Sequence, residues 1–255
     1  MKSKNTKTET WSDGSIVKRT YDEEGKLLTS TKTWSDGTTE VTKRTFDEEG
    51  NLLTKTITNS DGYRDVTKFT YNEEGKVLTK TKTWGDDSTD VTKYTYNEEG
   101  KVLTETTTRR DGTSIVRKFT YNEEGKLLTE TTTWNDGTTD VTKSTYNDEG
   151  NMLTSTRTLS DGIIKEFIYN DKGKLLTEIK TDSNGIISNG IKEFTYNDEG
   201  KLLTETITWS DGTIMVFTYN KKGELLSETK TWSDGTIHVI KFTYNKKGNV
   251  LTRTI

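Results

Sequence analysis

Cysteine, proline and alanine are all missing from the 255 residues, and histidine occurs once, at His238. Without cysteine there are no disulfides, no thiolate metal ligands and no thiol nucleophile. Without alanine a helix lacks its best former, and without proline a sheet lacks its usual breaker. Long apolar runs are missing as well. The opening MKSKNTKTET has no apolar core of the length a signal peptide needs, and no stretch approaches a membrane span. The expectation is a soluble chain without membrane insertion, its localisation left open. A net charge of −4 supplies no basic field, which argues against nucleic acid and anionic lipid as partners.

What is present in excess is threonine, at 53 positions. Hydrophobic residues make up 27% and charged residues 31%, a balance that suggests disorder where no pattern organises it. Here a pattern does. Aligned on the aromatic before an acidic turn, ten units stand out, at Tyr21, Phe46, Tyr71, Tyr96, Tyr121, Tyr146, Tyr169, Tyr196, Tyr219 and Tyr244. The steps are 25 residues five times, then 23, 27, 23 and 25. Each unit holds two turn signals, as in Asn122 to Gly125 and Trp134 to Gly137, with runs rich in threonine, tyrosine, valine and leucine between them. That is hairpin grammar.

From each aromatic to the next tryptophan-type position the count is always 13, and from there to the next aromatic it is 10, 12 or 14. Changes by two keep every side chain of a strand on its own face, whereas a change by one turns the strand over. The parity therefore predicts paired strands: A strands after the acidic turn (Lys126 to Trp134) and B strands after the Trp turn (Thr138 to Tyr146). The chain begins and ends inside A strands, giving 11 A and 10 B strands. The expected fold is all-β, one repeat domain over 1–255, a continuous antiparallel meander of about 21 strands. Sheets beyond about ten strands usually coil, split or close, so a coiled open shell or spiral is expected, with a single-layer sheet as the alternative.

Glu-Glu-Gly between Asn and Lys suits a type I turn followed by a left-handed glycine and a G1 bulge; Asp-Gly after Trp-Ser suits a two-residue type I′ turn. These choices predict that Tyr146 faces Met152 and Trp134 faces Thr139. One face then carries Leu127, Thr129, Thr131, Thr133, Asp140, Thr142 and Tyr146, with aromatics such as Phe69, Tyr94 and Phe119, and is the candidate buried face. The other carries Leu128, Glu130, Thr132, Trp134, Thr139, Val141, Lys143 and Thr145, with Lys18, Lys43, Lys68, Lys93 and Lys118 in a row beside Glu105 and Glu130.

The motif Tyr-Asp/Asn-x-x-Gly-Lys-Leu, as Tyr21-Asp22-Glu23-Glu24-Gly25-Lys26-Leu27 and Tyr121-Asn122-Glu123-Glu124-Gly125-Lys126-Leu127, resembles the tyrosine-aspartate repeat of the RHS/YD-repeat family. The preceding Asp36-Gly37-Thr38 is similar to that family's Asp-Gly position. The resemblance implies a β-sheet strip that winds into a hollow shell, as in bacterial toxin-delivery proteins and teneurin-like proteins, and a secreted or cell-surface setting. A weaker resemblance is to the hairpin repeats of MORN-like antitoxin-type proteins.

No residue set here looks like an active site, and neither an enzyme nor a cofactor or metal is expected. His238 stands where other units carry an acid or threonine, with no sign of a triad. The acidic pairs Glu23/Glu24 and Glu123/Glu124 recur about 9.6 Å apart, too far to share a calcium ion, and Lys172, Lys221, Lys222, Lys246 and Lys247 replace them later. Trp11, Trp34, Trp84, Trp134, Trp209 and Trp232 line one margin and are candidates for stacking on sugar rings. The rows Thr129, Thr131 and Thr133 are candidates for meeting an ordered surface such as ice. Thr6, Thr8 and Thr10 at one edge, and Thr252 and Thr254 at the other, are candidates for self-association. The leading expectation is a structural scaffold that pairs with itself; the alternative is a module for a glycan or a cell-surface component.

Overall fold

A computed structural model describes residues 5–245, 248 and 250–254. Lys246 and Lys247 lie outside these residues. The described chain is all β, with twenty-one strands and no helix. It divides into two compact units, Met1–Lys118 with Trp134–Asp136, and Phe119–Thr133 with Gly137–Ile255. Within the first unit the meander starts at Asn5–Thr10, and within the second it runs from Leu127–Thr133 to Val250–Thr254. Pairing inside each unit is antiparallel and joins strands consecutive in sequence. The expected antiparallel repeat is therefore present, and among the described residues its two end strands are each paired on one side.

Both kinds of turn close in the same way. At the acidic turn the Asp22 amide donates to the Lys26 carbonyl at 3.0 Å and the Gly25 amide to the Asp22 carbonyl at 3.2 Å. At the Trp turn the Trp34 amide donates to the Thr38 carbonyl at 2.9 Å and the Gly37 amide to the Trp34 carbonyl at 3.0 Å. Gly25 and Gly37 take φ of +84° and +83°, while Asp36 before Gly37 does not enter the left-handed region. Each is thus a type I turn followed by a left-handed glycine. The type I′ turn expected at Asp-Gly is not formed. The reason is local: the Asp36 carboxylate accepts from the Thr38 amide at 2.9 Å and the Thr38 hydroxyl at 2.6 Å, a bridge that keeps Asp36 at negative φ.

A second departure lies beside the acidic turn. Tyr146 stands opposite Met152 as expected, but Thr145 stands opposite Thr154, leaving Leu153 as an extra residue in a bulge. The same shift recurs at Thr20/Tyr21, Thr45/Phe46, Thr70/Tyr71 and Thr95/Tyr96. Across the Trp turn Thr133, and not Trp134, stands opposite Thr139. Each junction slips by one residue, and one residue exchanges the faces. Thr129, Thr131 and Thr133 accordingly share a face with Lys143, Val141 and Thr139. The aromatics lie on the opposite face, where Tyr94, Phe194 and Phe217 stand opposite Glu105, Glu205 and Glu228. The expected union of aromatics with threonine rows is overturned.

Length changes by two behave as expected in the shorter units, where Ile164–Tyr169 and Ile214–Tyr219 have six residues against eight in Thr139–Tyr146. The long unit differs. Ile191–Tyr196 is also a six-residue strand, and the surplus forms a bend with Asn189 and Gly190 at φ +67° and +76°.

Among the described residues only Val17 and Ile240 are buried apolar side chains. Cohesion must therefore come from what passes between strands. The tyrosine of the motif supplies part of it: Tyr71, Tyr96, Tyr146, Tyr196 and Tyr244 donate their hydroxyls to the carbonyls of Leu52, Val77, Leu127, Leu175 and Leu225, at 2.7–3.0 Å. The ladder between Leu52–Asn59 and Arg64–Tyr71 stops at the pair Thr54 and Lys68, so the phenol closes the end of the hairpin that the ladder leaves open. One unit carries Phe46 instead, which has no hydroxyl to donate.

Two predictions follow from these bonds. Tyr71→Phe lowers unfolding free energy by about 0.5–1.5 kcal/mol in urea denaturation, and Phe46→Tyr raises it by a similar amount; equal midpoints for both variants refute the clamp. The second concerns pH. Hydrogen bonds from Thr38, Ser88 and Thr113 hold Asp36, Asp86 and Asp111 below their ordinary value of 3.8. A depressed carboxyl contributes stability that is complete above that value and is lost as pH falls through the lower folded-state values. Burial raises the Tyr71, Tyr96 and Tyr196 hydroxyls above their ordinary value of 10.0, so their contribution is complete below it and disappears as pH rises through the folded-state values. Melting temperature against pH is expected to be flat between these limits and to fall outside them, with Asp36→Asn/Asp86→Asn/Asp111→Asn blunting the acid limb alone.

Candidate functional site: the tryptophan margin and the edges

Trp11, Trp34, Trp84, Trp209 and Trp232 each open a type I turn, and strand alternation puts them on the face that carries the aromatics and acids. The neighbour two positions earlier on the same face is a lysine in three units, and this decides what the rings touch. In the first unit the Lys32 ammonium lies 4.7 Å from the Trp11 ring centroid and 4.9 Å from that of Trp34, between the two. Lys82 sits 3.1 Å from the Trp84 centroid and 3.2 Å from the Asp65 carboxylate. Arg110 approaches the same ring at 5.8 Å. Tyr63 packs over Gly85, where an added methyl group would come within 2.7 Å of its ring. In the second unit Lys230 lies 4.8 Å from Trp232, which also meets His238 at 6.4 Å between centroids.

Trp11, Trp34, Trp84 and Trp232 therefore already have partners on their faces, at distances where a cation is attracted to an indole ring. A sugar must displace a lysine to stack there. Trp209 lacks that lysine, because Ile207 holds the position two residues before it. The margin is a set of local clusters, with no shared cleft described among them. The sequence named the tryptophans but not their lysines; the signal was Lys-Thr-Trp, present at Lys32, Lys82 and Lys230.

The remaining candidates are placed as follows. His238 is exposed and stands opposite Lys230, with no carboxylate partner described. No group of His, Asp and Glu able to hold a metal occurs among the described residues. Glu24, Glu74 and Glu99 in the acidic turns pair with Lys26, Lys76 and Lys101 of their own turns, at 2.7, 2.6 and 2.9 Å. Shallow depressions lie between successive acidic turns, such as the one lined by Asp47, Asn51, Leu53, Phe69 and Tyr71, and they are open to solvent. Among the described residues no helix is long and apolar enough to cross a membrane. At the edges, Asn5–Thr10 and Val250–Thr254 are exposed along their whole length, placing Thr6, Thr8, Thr10, Thr252 and Thr254 on strands with one open side.

No protein-family model matches the chain, and no curated protein does. Among solved structures it is similar to the crystal structure of TcdB2-TccC3-Cdc42, over 96% of this chain and 16% of that one, at 14% identity and a TM-score of 0.41. The crystal structure of TcdB2-TccC3 without its hypervariable C-terminal region gives the same coverage and identity with a TM-score of 0.40. A porin-like protein from Bacteroides uniformis ATCC 8492 is similar over 93% of this chain and 94% of its own, at 14% identity and a TM-score of 0.32. This chain spans 16% of the length of the first two.

Proposed function

We propose that the chain is a non-catalytic structural scaffold, an RHS/YD-like β strip that associates with further copies of itself through its edge strands. One observation carries this reading: in several units the tyrosine, the Asp or Asn after it, the glycine and the lysine of the repeated motif are engaged in holding the strip. The tyrosine donates to a carbonyl at the neighbouring acidic turn, as Tyr71 does to Leu52 at 2.8 Å. The Asp or Asn after it accepts from the amide four residues on, as Asp22 does from Lys26 and Asn122 from Lys126, at 2.8 and 2.7 Å. The glycine supplies the positive φ, and the lysine after it pairs with the turn's glutamate.

The edges support the second half of the reading. An open strand offers a row of unpaired amides and carbonyls, a template for another chain. In Val250–Thr254 the apolar residues Val250 and Leu251 are 56% and 62% exposed, the kind of surface that a neighbouring strand covers. Two such strands can pair antiparallel around a two-fold axis.

Multi-angle light scattering tests this. Thr252→Lys/Thr254→Lys is expected to convert an assembling species to the monomer mass, and an unchanged mass removes the edge from the proposal. The alternative glycan-module reading of the tryptophan margin is separated by Trp34→Ala/Trp84→Ala/Trp134→Ala. The scaffold reading expects a lower melting temperature, because Lys32 and Lys82 lose the rings they lie against. A folded triple variant that has lost binding on a glycan array favours the module.

A further inference from the structure

The tetrapeptide Ser-Asn-Gly-Ile occurs twice, as Ser183-Asn184-Gly185-Ile186 and as Ser188-Asn189-Gly190-Ile191, and nowhere else in the chain. Both asparagines are exposed. Their backbones differ. Asn184 sits in a closed turn, where its own amide and that of Ile186 donate to the Asp182 carboxylate, each at 2.9 Å, and the Gly185 amide donates to the Asp182 carbonyl at 3.0 Å. Asn189 lies in the bend that takes up the surplus of the long unit. Its φ is +67°, a left-handed conformation that strains a residue with a side chain, and Gly190 follows at +76°. The Gly190 amide donates to no backbone carbonyl among the described residues.

The ladder beside this bend is the shortest in the second unit. Leu175–Thr181 and Ile191–Tyr196 share two register pairs, Thr177 with Glu193 and Glu178 with Lys192, whereas the other junctions of that unit carry four to six. The Ser188 amide is tied to the Lys180 carbonyl at 2.7 Å and Thr181 bridges Ile187, which leaves Asn189 and Gly190 between that anchor and the start of the strand. Few ladder bonds around an exposed bend mean a low free energy of local opening. Each opening also releases the left-handed strain at Asn189. Asn184 gains the same freedom only by breaking the bonds that its turn makes to Asp182.

We propose that Asn189-Gly190 is a site of spontaneous deamidation in the folded chain, and that the isoaspartate it forms opens the junction between Leu175–Thr181 and Ile191–Tyr196. Hydroxide takes the proton of the Gly190 amide, and that nitrogen attacks the side-chain carbonyl carbon of Asn189. The new carbon–nitrogen bond closes a succinimide ring as the bond to the side-chain nitrogen breaks, and ammonia leaves with a proton from water. Water then adds to either ring carbonyl and opens the ring to aspartate or isoaspartate. Glycine allows the closure because no Cβ crowds the attacking nitrogen. In isoaspartate the backbone runs through Cβ and is longer by that atom, and a carboxylate replaces the neutral amide. Gly190 has no room to shift towards Leu202–Thr208, since a methyl group added there would lie 2.9 Å from the Thr208 carbonyl oxygen and from the Ile207 side chain. Ile191–Tyr196 is held on that side by six pairs and on the other by two, so the ladder to Leu175–Thr181 is the one that yields.

Ageing of the full chain in mildly alkaline buffer, followed by trypsin digestion and tandem mass spectrometry, tests the site. Cleavage after Lys180 and Lys192 leaves both asparagines on one peptide, Thr181 to Lys192. Because the two share Ser-Asn-Gly-Ile, a difference between them in the folded chain reports the fold. Deamidation at Asn189 is expected to run about fivefold or more faster than at Asn184, while in the peptide aged after digestion the two rates fall within about twofold of each other. Equal rates in the folded chain, a faster reaction at Asn184, or no reaction at either while the free peptide reacts each overturn the proposal. Hydrogen exchange tests the consequence. The amides of Ile191 to Phe194 are expected to exchange about tenfold faster in the isoaspartate fraction than in unmodified chain, and within about twofold of unmodified in Asn189→Asp, which gains the charge without the length. Equal exchange in the two fractions, or the same acceleration in Asn189→Asp, overturns the role given to the longer backbone.

Discussion

A sheet with two buried apolar side chains among its described residues cannot rest on a core, so neighbouring strands must hold one another directly. In repeat arrays that neighbour term replaces the bulk hydrophobic term. Here it has three parts. The backbone ladder runs along the middle of each hairpin. The tyrosine hydroxyl closes the end beside the acidic turn. Threonine pairs fill the step between them: Thr45 and Thr54, Thr70 and Thr79, Thr95 and Thr104, Thr145 and Thr154 bring their hydroxyls to 2.7 Å immediately before each bulge. Threonine is abundant because it serves twice, as a β-branched residue that suits the pleat and as a cross-strand hydrogen-bonding pair.

The strands and their order were legible because they depend on spacing, and spacing survives any error about the turns. Counts of 10 and 12 between tryptophan and aromatic became strands of six and eight residues. The faces were not legible from the same evidence, because they depend on single residues at the turns. Asp-Gly favours the type I′ turn in a two-residue hairpin, but Thr38 lets Asp36 bridge forward and stay at negative φ, and the loop gains a residue. A signal existed in the parallel between the turns: Trp-Ser-Asp-Gly-Thr and Asp-Glu-Glu-Gly-Lys both place glycine fourth, and both close as type I with a left-handed glycine. The bulge was also written in the chain, as the doublet Leu27-Leu28, where two successive apolar residues interrupt an alternating strand.

The consequence of one residue at each junction is chemical. In the predicted register the lysine row has Glu105 and Glu130 beside it. In the observed register Glu105 stands opposite Tyr94 and Arg117 on the far side, and the lysines are left among threonines. The tryptophans move in the opposite sense. They part from the Lys143 row and stay with the acids and with Lys32, Lys82 and Lys230, whose ammonium groups lie against their rings. Four of the six margin tryptophans thus have a lysine against their rings, and the lysines of the mid-strand row are exposed.

This exchange separates two kinds of position within a unit. Tyrosine, the Asp or Asn after it and the turn glycine are bonded to backbone, so a change there disturbs the neighbouring unit as well. The mid-strand side chains of Lys43, Lys68 and Lys93 make no ion pair among the described residues, and at that place Glu166, Glu193 and Val216 are accommodated in strands with the same ladder. The strip can therefore carry different charges along its length without a change of fold. Surface chemistry in such an array is set by position along the meander, while the frame is set by the repeat.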